Sequence, residues 1–94
     1  MNRNTRRREP NAMETKQWSV RIDISESGKE THVRAVLTTM NGTVLEGHGQ
    51  ARRHPRDRAV PEIGDELAAG RALIDLGSRL VQLATADMAE SAPW

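Results

Sequence analysis

The chain has no cysteine, phenylalanine or tyrosine, and its two tryptophans, Trp18 and Trp94, lie toward opposite ends of 94 residues. Without cysteine there is neither a disulfide framework nor thiolate chemistry, which fits a cytoplasmic protein. Without an aromatic cluster the core must be aliphatic, and a chain this short can bury only a thin one. No apolar run approaches the length of a membrane span, and no apolar segment follows the N-terminal arginines as a signal peptide requires. A soluble, cytoplasmic protein with no membrane partner is expected. A large excess of one charge is missing too. The whole chain is +1, but residues 16–94 carry ten basic and eleven acidic side chains and come to −1. The part that folds is not a basic protein.

What is present is one long amphipathic stretch. From Val60 to Met88 the leucine, isoleucine and alanine content is high and proline is absent after Pro61, which suits a first helical turn. Glu62, Asp65 and Glu66 then fall where the helix dipole is positive. At about 100° per residue, Ile63, Leu67, Gly70, Ile74, Gly77, Val81 and Met88 form one stripe, and Leu73, Leu76, Leu80 and Leu83 a neighbouring one. Arg71, Asp75, Ser78, Arg79 and Gln82 are left for water. The apolar arc covers roughly 200°, more than one sheet needs. The expectation is that the glycine-bearing stripe packs on the sheet while Leu73, Leu76, Leu80 and Leu83 are left in part for a second copy, making a homodimer.

Three shorter runs alternate with period two. In K-Q-W-S-V-R-I-D-I-S, Trp18, Val20, Ile22 and Ile24 share one face, as a half-buried strand requires. After the turn E-S-G-K, the run T-H-V-R-A-V-L-T-T puts Val33, Ala35 and Leu37 inward and His32, Arg34, Val36 and Thr38 outward. Asn41-Gly42 follows, the residue pair favoured by a type I′ hairpin. In T-V-L-E-G-H-G-Q-A the face of Leu45 also carries Gly47, Gly49 and Ala51, and glycines there mark a close backbone approach, expected from the helix. The fold class is therefore α+β: a three-stranded antiparallel meander followed by one long helix.

Residues 1–15 are polar, aperiodic and rich in arginine, and read as a disordered tail, with residues 16–90 as the β-β-β-α domain and 91–94 as a C-terminal tail. The basic tail reads either as an electrostatic arm for nucleic acid or as a solvated extension, Met13 being an alternative first residue. Between sheet and helix, Arg52, Arg53, Arg56 and Arg58 crowd a segment stiffened by two prolines. Arginine forks match phosphate oxygens, so the segment reads as a candidate nucleic-acid contact. It reads equally as a surface connection whose arginines pair with neighbouring acids.

Nothing in the spacing of reactive residues points to catalysis. His32, His48 and His54 lack the short separations of a metal motif, although His32 and His48 are placed to meet across paired strands. Gly47-His48-Gly49 sits inside a strand rather than before a helix, and no serine lies in a nucleophile elbow. Neither an enzyme, a cofactor, a bound metal nor a small-molecule substrate is expected.

The run P-R-D-R-A-V-P-E-I-G-D-E-L-A-A-G-R-A-L-I-D-L, with T-V-L-E-G-H-G-Q-A-R and W-S-V-R-I-D-I-S before it, resembles an actinobacterial family of small proteins of unknown function. The resemblance covers residues 16–90 and implies a fold similar to the double-stranded-RNA-binding domain, assembled as a homodimer. One dormancy-induced member has been likened to ribosome hibernation promoting factors. Two residue-level departures stand out. Such RNA-binding domains carry a lysine cluster at the start of their C-terminal helix, where this chain has P-E-I-G-D-E-L, and they have an N-terminal helix where this chain is expected to have a disordered tail. Two expectations follow. One is a stress or dormancy factor that binds the ribosome or rRNA through Arg52, Arg53, Arg56 and Arg58 and slows translation. The other is a dimeric protein–protein interaction module that binds no nucleic acid.

Overall fold

A computed structural model describes residues 13–54, 56 and 60–91. Arg58, Trp94 and most of the basic tail lie outside the described residues. The order is β1 (Ser19–Ser27), β2 (Glu30–Thr38), β3 (Val44–Arg52) and α1 (Pro61–Glu90), the β-β-β-α arrangement expected from the two periodicities. The strands form one antiparallel sheet in the order β1-β2-β3. A two-residue turn joins β1 to β2, with Gly28 at φ +61° and Ser27 opposite Glu30. That closing pair sets Val20, Ile22 and Ile24 beside Leu37, Ala35 and Val33 on one face.

The second hairpin corrects the expected type I′ turn. Asn41 has no positive φ; Gly42 alone does, at +89°. The Gly42 N–H donates to the Thr39 carbonyl (3.1 Å) and the Thr39 N–H to the Thr43 carbonyl (3.0 Å). This is a three-residue loop, a type I turn followed by a left-handed glycine. The reason is the register of the core. With this loop Leu45 lies opposite Leu37, both facing inward. A two-residue loop would slide Leu45 opposite Thr38 and turn its side chain to the wrong face.

The helix also packs differently from the expectation. Its contact line is Ala68, Ala72 and Leu76, buried against Val33, Ala35, Leu37 and Ala51. Ile63, Ile74 and Val81 of the stripe assigned to the sheet face solvent, and the space around Gly70 and Gly77 is open. Glycine is needed on the sheet instead. A Cβ at Gly47 would overlap the backbone of Ala72 and Leu76, and one at Gly49 that of Ala68 and Ala72. Small residues on the helix meeting glycines on the strand let the two backbones nearly touch. That approach fixes α1 over β3 and β2.

Two consequences position the surfaces. The helix has little contact with β1, whose apolar face is left open: Val20 and Ile24 are 43% and 45% exposed, and Trp18, just before the strand, 55%. The helix also outruns the sheet. Its 30 residues span about 45 Å, whereas nine-residue strands span about 30 Å. Residues 81–90 are therefore exposed on every side, Leu83 included.

Candidate interaction surface

The register places four distinct surfaces around the sheet: an apolar trough, a charged outer face and two unlike edges. The trough has β1 as its floor and one flank of α1 as its wall. Arg71 and Asp75 reach β3, while Asp65 lies near Glu26 of β1, so Leu73 and Leu80, about 100° and 80° round from the buried Ala72, face the β1 side. Leu73 is exposed and Leu80 half-buried against the core. Leu76, expected at the partner surface beside them, is instead 3% exposed inside the protomer's own core. Of the four leucines, Leu73, Leu80 and Leu83 border the open side.

The outer face carries charges of alternating sign. Asp23 accepts from Arg34 and Arg21, each at 3.2 Å; Glu46 lies 3.3 Å from His48 and 4.0 Å from Arg34; Glu30 lies 3.1 Å from His32 and 3.5 Å from Arg52. The hydrogen bond from Arg34, aided by Arg21, holds the Asp23 carboxyl below its ordinary value. His32 faces Gln50 and His48 faces Arg34, so the two histidines do not meet directly. Among the described residues no group of three potential metal ligands converges.

The two sheet edges differ. On β3 the His48 N–H donates to Asp75 Oδ2 at 2.8 Å, and Arg71 donates to the Gln50 carbonyl at 2.9 Å. Arg79 holds the same Asp75 oxygen at 3.1 Å. Residues expected only to meet water thus cover the β3 edge. A hint of this was their spacing of four along the helix, which stacks Arg71, Asp75 and Arg79 on one side. Among the described residues, no side chain hydrogen-bonds to the outward backbone of β1. Beside the end of β1, the Asp65 carboxylate and the nearby charge of Glu62 raise the pKa of Glu26, and Asp65 Oδ1 is buried without a hydrogen-bond partner among the described residues.

The arginine segment is only partly brought together. Arg52 is exposed and paired with Glu30; the Arg53 N–H donates to the Lys29 carbonyl at 2.8 Å; Arg56 is exposed. A shallow cleft of about 340 Å³ nearby is lined by Glu30, His32, Gln50, Ala51, Arg52 and Arg71, with one carboxylate among its cations.

This architecture has relatives. The family described as Rv2632c-like matches residues 16–93. The chain belongs to that family. The uncharacterized protein MT1780 of Mycobacterium tuberculosis (strain CDC 1551 / Oshkosh) is 45% identical over 71 residues, 76% of this chain and 74% of its own. The uncharacterized protein Rv2632c of Mycobacterium tuberculosis (strain ATCC 25618 / H37Rv) is 38% identical over 76 residues, 81% of each chain. The crystal structure of Rv2632c is similar at a TM-score of 0.74 and 35% identity, over 92% of this chain and 99% of that one. These relatives' names state no activity. Among the described residues no helix is long and apolar enough to cross a membrane.

Proposed function

We propose that this Rv2632c-like protein works by association rather than catalysis, as a self-associating interaction module whose contact surface includes the trough between β1 and α1. One observation carries the reading. Trp18 just before β1, Val20 and Ile24 on β1, and Leu73 and Leu83 on the helix are exposed on adjoining elements, although the core holds only seven buried apolar residues among the described residues. Contiguous apolar surface of this kind marks an interaction site or invites aggregation. A two-fold contact covers it economically, because the same patch serves both copies. Light scattering at micromolar concentration is the test, with Leu73→Glu as the probe. Leu73 is better suited than Leu80, whose side chain also supports the core. A dimer that Leu73→Glu converts into a folded monomer supports the reading; a monodisperse wild-type monomer overturns it.

A second reading, binding to the ribosome or its RNA to slow translation under stress or in dormancy, has one feature in its favour. Arg52 and Arg56 are exposed close together in sequence, with Arg53 and Arg58 alongside. Against it weigh the Arg52–Glu30 pair and the acidic start of α1, with Glu62, Asp65 and Glu66.

A further inference from the structure

Among the described residues the edge of β1 is open, and the strand's pattern is self-complementary. Ser27 and Glu30 flank a two-residue turn and so exchange both backbone hydrogen bonds. Alternation from that pair turns the backbone groups of Ser19, Arg21, Asp23 and Ser25 toward β2. Those of Val20, Ile22 and Ile24 point outward. Carried across to β3, the same alternation turns His48 and Gln50 outward, where Asp75 and Arg71 meet them. Among the described residues, the outward groups of β1 have no such cover.

We propose that β1 pairs with β1 of a second copy, antiparallel about a two-fold axis at Ile22, joining the two sheets into one of six strands. This rests on the self-association reading and specifies its geometry. The segment Ser19-Val20-Arg21-Ile22-Asp23-Ile24-Ser25 complements itself when reversed. Ile22 lies opposite the partner's Ile22, Val20 opposite the partner's Ile24, Arg21 opposite the partner's Asp23 and Ser19 opposite the partner's Ser25. Ile22, Val20 and Ile24 carry the outward backbone groups, so they supply the hydrogen-bonded pairs. Arg21 and Asp23 fall at the non-hydrogen-bonded positions, where side chains stand closest.

Neighbouring registers are worse for physical reasons. Moving the axis one residue to Asp23 sets that carboxylate against the partner's Asp23; moving it to Arg21 sets guanidinium against guanidinium. Like charges directly opposite are destabilising. An axis between two residues pairs outward backbone with inward backbone and mixes the apolar and charged faces. In the proposed register the apolar floors of both troughs become continuous, and each Arg21–Asp23 pair is joined by its counterpart. The contrast between edges points the same way: β3 is blocked by Asp75 and Arg71, whereas nine residues of β1 offer a template for pairing.

Because the chain has no cysteine, cross-linking tests the register cleanly. Ser19→Cys and Ser25→Cys are prepared separately and then mixed under mild oxidation. Opposed Cα atoms at non-hydrogen-bonded positions are about 4.5 Å apart, within disulfide reach. Ser19 and the partner's Ser19 would be offset by six residues, about 20 Å. The mixture should shift to dimer mass on a non-reducing gel and return to monomer mass with reductant, while neither variant does so alone. Ile22→Cys, on the axis, should cross-link to itself. If light scattering shows a dimer but neither cross-link forms, the β1 pairing is overturned and the self-association reading stands. If the wild type is a monomer, both fall.

Discussion

The backbone N–H of His48 donates to the carboxylate of Asp75 across 2.8 Å, so a side chain of the helix takes the place that a fourth strand would occupy at the β3 edge. That hydrogen bond, followed by the one from Arg79, lowers the Asp75 pKa below its ordinary value. A depressed carboxyl contributes stability that is present above its unfolded pKa, about 4, and is lost as pH falls through the lower folded value. Asp75→Asn should therefore melt below the wild type at pH 7, and the gap should close in acid. Thermal melts across this range decide it. A gap of constant size would mean that the charge is irrelevant to the contact.

Glu26 has the opposite sign. The Asp65 carboxyl beside it raises its pKa, with burial and Glu62 adding to the effect. The folded state thus favours the protonated form, a contribution complete below the unfolded pKa and lost as pH rises through the raised folded value. Glu26→Gln should raise the melting temperature at neutral pH and change it little in acid. The same pair of melts checks this, and a variant less stable at pH 7 would refute the repulsion.

Glycine on the strand and glycine on the helix should respond in opposite directions. Gly49→Ala forces a Cβ into the backbone of Ala68 and Ala72, and should cost at least the roughly 1–3 kcal/mol typical of overpacking. Gly77→Ala meets open space and should stabilise the helix by about 0.5–1 kcal/mol. Urea denaturation of both variants measures the difference directly. Equal effects would mean that the close approach of α1 to β3 is not fixed.

Replacing Arg52, Arg53, Arg56 and Arg58 together by serine separates the two functional readings. If these arginines neutralise phosphates, sedimentation with ribosomes should weaken steeply with salt in the wild type, and the variant should lose both affinity and salt slope. If the protein is purely a protein-binding module, neither form should co-sediment even at low salt.

Much of the architecture was legible from residue pattern alone. Alternation in β1, β2 and β3 fixes which side chains share a face, because successive residues in a strand point to opposite sides whatever lies above them. Gly47 and Gly49 announced a close approach, and Pro61 marked the first turn of α1. These are local properties, set by a residue and its near neighbours. The order of elements was readable in the same way.

Which helix stripe met the sheet was decided only in three dimensions. Periodicity showed an apolar arc too wide for one contact, and size would favour Ile63, Ile74 and Val81. The bare backbone of Gly47 and Gly49 selects instead the small side chains of Ala68 and Ala72, since only they let the helix descend far enough. That choice sets the helix over β3, leaves the Trp18, Val20 and Ile24 face open, and swings Arg71 and Asp75 from solvent onto the β3 edge. It likewise buries Leu76 while exposing Leu73. The turn at Asn41-Gly42 obeyed the same hierarchy: pairing Leu45 with Leu37 across the core outweighed the preference of two loop residues. Sequence determined the faces, because they are local; tertiary structure decided which faces meet, because that depends on how closely two backbones can approach.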